Sequence, residues 1–106
     1  MFKKKIETMD KRHVVLVYLE LVDAHERWYV NLYRRVRKGR GELLAEWPED
    51  DLGFKGEMDL ATELRLRLWL QEHGVENNLI REAQKAIETL HLESVLDERK
   101  GSTFTT

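Results

Sequence analysis

His13 to Val36 reads HVVLVYLELVDAHERWYVNLYRRV, and whether this stretch forms two extended strands or one helix decides the fold class. As strands, Val14 to Val22 is rich in β-branched and aromatic residues and sets Val15, Val17, Leu19 and Leu21 on one face. Trp28 to Val36 alternates likewise, with Trp28, Val30, Leu32 and Val36 on one side and Tyr29, Asn31, Tyr33 and Arg35 on the other. Asp23 to Arg27 is then the connecting turn. As one helix, Val14, Tyr18, Leu21, His25, Trp28, Leu32 and Val36 make a stripe at spacings of four and three. Val15, Leu16, Val17, Leu19 and Val22 would then spread around the remaining surface, and a helix apolar on nearly every side is hard to bury in so small a chain. The strand reading is therefore preferred.

The flanking segments fit it. Arg37 to Gly41 (RKGRG) supplies two glycines for a hairpin loop or bulge. A third strand, Glu42 to Trp47 (ELLAEW), ends at Pro48, which cannot donate to a ladder. On the helical alternative, Gly39 or Gly41 is a helix C-cap instead. Pro48 to Gly56 (PEDDLGFKG) reads as an exposed acidic linker. Met1 to Asp10 (MFKKKIETMD) reads as a flexible end whose basic cluster lacks the apolar stretch of a secretory signal.

Beyond Met58 the pattern turns helical. Asp59 caps a helix to about His73, with Gly74 placed as a left-handed C′ residue and Val75 able to touch Leu70. Glu63 to Leu70 (ELRLRLWL) alternates strictly, as an amphipathic strand would, but a strand does not need that cap signature. Asn77 or Asn78 caps a last helix to about Arg99, with Leu79, Ala83, Ile87, Leu90, Val95 and Leu96 facing inward. Gly101 stops it and residues 102–106 fray. The expected fold is one α+β domain over residues 1–106, a three-stranded antiparallel meander followed by two packed helices, with an all-α three-helix bundle as the alternative.

The chain is 42% hydrophobic and 36% charged, with no cysteine. That composition suits a globular domain and removes disulfides, thiolate metal sites and cysteine nucleophiles. A cytoplasmic setting is the expectation. The longest nearly apolar run, Val14 to Val22, is too short for a membrane-spanning helix. Up to Gly41, eleven Lys and Arg against five Asp and Glu give +6, and the remainder carries −8. Such polarity suits either an anionic partner or mutual attraction of the two halves in the fold.

Arg34, Arg35, Arg37, Lys38 and Arg40, with Trp28, Tyr29 and Tyr33 upstream, form the strongest constellation. Cations neutralise phosphates and aromatic faces stack on unpaired bases, so nucleic acid is one candidate partner, read by Tyr29, Tyr33 and these five cations. The plainer reading is a solvated hairpin loop facing Glu49, Asp50 and Asp51, with the aromatics in the core. For metals, Glu88 and His91 are the only helical pair at ligand spacing; Asp23, His25 and Glu26 cluster on a strand, and His13 and His73 stand alone. No metal or cofactor is expected.

Ser94 and Ser102, the only serines, sit in no nucleophile pattern, and no phosphate-binding glycine loop is present. The chain is therefore expected not to be an enzyme. A cleft holding His25 or His91 beside a carboxylate is the observation that would revive catalysis. Leu64, Leu66, Leu68, Trp69 and Leu70 crowd one element, so that on a helix one side can stay outside the core. The expected function is a non-catalytic binding or regulatory module acting through a protein partner or a homodimer. Leu66, Trp69 and Leu70 are its candidate anchors, with small nucleic-acid binder as the alternative.

Overall fold

His13 to Val36 forms two antiparallel strands, which settles the α+β class against the three-helix bundle. The computed structural model describes residues 2–23, 25–48 and 54–104, with side chains at 2–23, 25–48 and 56–97. Its elements are β1 (Phe2–Met9), β2 (His13–Val22), β3 (His25–Val36), β4 (Gly39–Trp47), β5 (Phe54–Lys55), α1 (Leu60–Glu72) and α2 (Asn77–Phe104). The long strands form an antiparallel meander in the order β1-β2-β3-β4, and β5 pairs with the β3 residues beyond the reach of β4.

The meander therefore has four long strands rather than three, because residues expected as a flexible end pair with β2 along their whole length, from Phe2 opposite Leu21 to Met9 opposite Val14. Asp10 turns the chain: its Oδ1 accepts from the backbone N–H groups of Arg12 and His13, both at 2.8 Å. This side-chain turn fixes the hairpin register. The β2–β3 connection is also tighter than Asp23 to Arg27, for His25, Glu26 and Arg27 already belong to β3 and Asp23 adopts φ +51°. Likewise the Arg37 to Gly41 loop shrinks to Arg37 and Lys38, and β4 starts at Gly39, whose φ of +121° suits only glycine. Lys55, within the expected linker, pairs with Arg27 as part of β5.

Val15, Val17, Leu19, Trp28, Val30 and Leu32 point to one face of the sheet and meet Leu66, Leu70, Val75, Leu79, Ile80, Ala83, Ala86, Ile87 and Leu90 from the helices. Each end of α1 matches its sequence signature. Asp59 Oδ1 accepts from Thr62 N at 2.8 Å; Gly74 N donates to Gln71 O and Val75 N to Leu70 O, with Gly74 at φ +78°. In α2 the inward row runs Leu79, Ala83, Ile87, Leu90 and then Ser94, so Leu96 points outward, contrary to its expected inward place. Gly101 does not stop this helix, which continues to Phe104. Among the described residues no helix is long and apolar enough to cross a membrane.

Candidate functional site

The alternation in ELRLRLWL decides what α1 presents. Two residues along a helix advance the side chain by about 200°, so leucines at every second position fall on opposite sides. Leu66 and Leu70 are 2% and 1% exposed and lie in the core with Thr62 one turn earlier. Leu60, Leu64 and Leu68 stand opposite, 83%, 55% and 50% exposed, one above the next at intervals of four. Of the three anchors expected from the sequence, Leu66 and Leu70 are thus core residues, and Trp69 alone keeps an exposed edge.

Trp69 packs partly against the core, and its ring lies 4.7 Å from that of His73, whose Nδ1 is 2.8 Å from the Trp69 carbonyl oxygen. Beside it a shallow groove of about 330 Å³ is lined by Leu43, Leu44, Ala45, Glu46, Trp69 and His73. Leu43 and Leu44 are exposed on the edge strand β4. The outer row of α1 and the leucines of the β4 edge thus leave several large apolar side chains exposed.

Charge on α1 is graded along its axis. Asp59 and Glu63 lie at its start, Arg65 and Arg67 in its middle. Thr62, through its hydroxyl and its backbone N–H, holds the Asp59 carboxyl below the usual range. Glu63 is shifted the other way, upward, by partial burial first and then by the charges of Glu88 on α2 and Asp59. Among the described residues neither Glu63 nor Arg67 forms a salt bridge or side-chain hydrogen bond within the chain.

The cations of the β3–β4 hairpin do not form one patch. The ladder shifts register on both sides of Tyr33, which stands on the helix-free face, and each shift places an extra residue on β4 and bends that strand. Arg40 of β4 thereby reaches across the sheet to Glu7 of β1, with Nε 3.1 Å from Oε2, and its guanidinium lies 5.2 Å from the Tyr33 ring centre. Val14 and Leu16 are buried on this face although no helix covers it. Arg35 Nη1 donates to the Asp10 carbonyl at 2.7 Å and Arg34 lies 4.0 Å from Glu42, while Arg37 and Lys38 project at the tip. The expected partners Glu49, Asp50 and Asp51 lie outside the described residues. Lys4 with Glu93, at 3.2 Å, joins the basic and acidic halves from β1 to α2.

Tyr29 meets Tyr18 edge-on at 5.6 Å, and these two share the helix-free face with Tyr33. The Lys3 ammonium lies 6.0 Å from the Tyr18 ring centre and is held above its ordinary range, first by a hydrogen bond to Tyr18.

A larger cleft, about 890 Å³, opens between the β2–β3 hairpin and the far half of α2, lined by Asp23, His25, Glu26, Glu57, His91 and Ser94 among others. His91 Nδ1 lies 3.1 Å from Glu26 Oε1, and Glu26 Oε2 accepts from Trp28 Nε1 at 3.3 Å. A histidine set beside a carboxylate is the arrangement named above as the sign of catalysis. The Ser94 hydroxyl donates to the His91 carbonyl at 2.7 Å rather than to an imidazole nitrogen, so Ser94 and His91 are not arranged as a nucleophile and its base. The contact links α2 to β3. Among the described residues no three His, Asp or Glu side chains converge as metal ligands. No protein-family model matches this chain, and neither the curated proteins nor the solved structures include one significantly similar to it.

Proposed function

We propose that this protein is a non-catalytic interaction module whose contact surface is the outer side of α1, centred on Leu64. The observation that carries this reading is the row Leu60, Leu64 and Leu68, exposed on a helix whose other side is already filled by the core. Three leucines left in water at helical spacing gain the free energy of burial only against a partner. Trp69 and the groove by Leu43 and Leu44 extend the apolar surface toward the sheet edge. The test places a photo-cross-linking amino acid at Leu64 and, as a control, at Lys38. Adducts are expected at Leu64, absent at Lys38 and lost when Leu60 and Leu68 are both replaced by glutamate. Absence of adducts at Leu64, in purified protein and in native extract alike, refutes the reading.

A second reading, single-stranded nucleic acid on the helix-free face, is favoured by one observation: Tyr18, Tyr29 and Tyr33 share that face with Lys3 and Arg40. Aromatic rings beside cations are what unpaired bases and phosphates require. It stands second because Arg40 is already matched by Glu7 and Arg34 faces Glu42. Titration against single- and double-stranded oligonucleotides at rising salt decides it. Failure to bind at low ionic strength removes it.

A further inference from the structure

We infer that the partner of the α1 surface is a second copy of this chain, its α1 lying antiparallel to the first and crossing it at Leu64; this rests on the interaction reading of the same stripe. The stripe is its own complement. Leu60 stands one turn before Leu64 and Leu68 one turn after, so a two-fold axis through Leu64 lays Leu60 of each copy on Leu68 of the other.

The reciprocal pairing of charge requires the antiparallel orientation. Glu63 and Arg67 lie one turn apart on the same flank of the stripe, and in an antiparallel pair equal flanks face each other. Glu63 of each copy then meets Arg67 of the other, twice by symmetry. Among the described residues neither group has an ion pair, and around Glu63 stand the like charges of Asp59 and Glu88, a surplus that the second copy's Arg67 offsets. A parallel pair brings unequal flanks together, so Glu63 and Arg67 of one copy lie along Ala61, Arg65 and Trp69 of the other and the two Glu63–Arg67 pairs cannot form.

At 1.5 Å per residue the 13-residue α1 spans about 20 Å, so one helix pair buries less than a standard stable interface. The association is accordingly weak, with a dissociation constant on the order of 100 μM. Sedimentation of the full chain from roughly 5 μM to 1 mM should show monomer passing to dimer.

Glu63→Arg alone and Arg67→Glu alone should each weaken self-association about tenfold or more, because each turns two attractions into two repulsions. An equal mixture of the two single variants should associate again, since both 63–67 pairs are then of opposite sign, and so should the double variant Glu63→Arg/Arg67→Glu. Recovery in the mixture also shows that each variant is folded. A wild-type chain that stays monomeric at about 1 mM overturns the self-pairing, as does a dimer that neither single variant weakens. Either result leaves the interaction reading to be judged separately by cross-linking at Leu64, where adducts heavier or lighter than a dimer name another partner.

Discussion

Leu66→Ala and Leu64→Ala differ by two positions in one helix and should differ several-fold in consequence. Leu66 is 2% exposed and packs with Leu70 against the sheet and α2, so its truncation removes a buried isobutyl group and leaves a cavity. Such changes cost about 2–5 kcal/mol, and near the middle of that range the melting temperature of a domain this size falls by roughly 14–28 °C. Leu64 is 55% exposed and projects away from the core, and alanine keeps the helix at least as well. Its truncation should stay within about 0.5 kcal/mol, a shift of roughly 4 °C at most. The assay is urea and thermal unfolding followed by circular dichroism and tryptophan fluorescence, at concentrations low enough that the midpoint no longer depends on protein. Equal losses at the two positions, or a greater loss at Leu64, would refute the assignment of the inner and outer faces of α1. Leu70→Ala against Leu68→Ala repeats the contrast one turn on.

Other consequences are as specific. A methyl group at Gly41 would stand 2.5 Å from Val36 Cγ1 and 3.0 Å from the Arg34 carbonyl oxygen, so Gly41→Ala should cost about 1–3 kcal/mol, read as a lower urea midpoint. Glu26→Ala should cost about 1–3 kcal/mol, because it strands the indole N–H of the fully buried Trp28; Glu26→Gln, which keeps an acceptor, should cost less. The Glu63 carboxyl has a raised pKa in the fold, so folding favours its protonated form. Its penalty is absent below the unfolded value near 4.5 and appears as the pH rises through the folded one. Glu63→Gln should therefore stabilise the monomer at pH 7 and match wild type at pH 4, while loosening self-association. Urea midpoints measured across that interval check the first effect, and sedimentation checks the second.

The sheet was readable where burial imposes alternation and unreadable where it does not. The valine and leucine rows of β2 and the Trp28, Val30 and Leu32 row of β3 are sharp because one side faces the helices. β1 escaped notice because it is an edge strand. Lys3, Lys4 and Lys5 dilute the pattern of Phe2 and Ile6, as charges on an edge commonly do, although Asp10 ahead of Lys11 and Arg12 is a turn signal.

The anchors at Leu66 and Leu70 failed as surface residues for a reason the sequence contained. If Val75 touches Leu70 across the Schellman turn, Leu70 must face the core, and four-residue steps then take Leu66 and Thr62 inward and leave Leu60, Leu64 and Leu68 outside. The dispersal of the arginines was not legible. It depends on the register shifts at Tyr33, which are set by pairing with β4 rather than by local composition.

Because leucine recurs on both sides of α1, oil-like character by itself hardly distinguishes this rod from the same rod rolled through half a turn. What sets its roll is held at the tips, in the Asp59 latch on Thr62 and in Val75, tucked under the far end with Leu70. Loosening those tips would free the middle to turn over, so the choice of which leucines meet water is governed by residues that never touch the outer row.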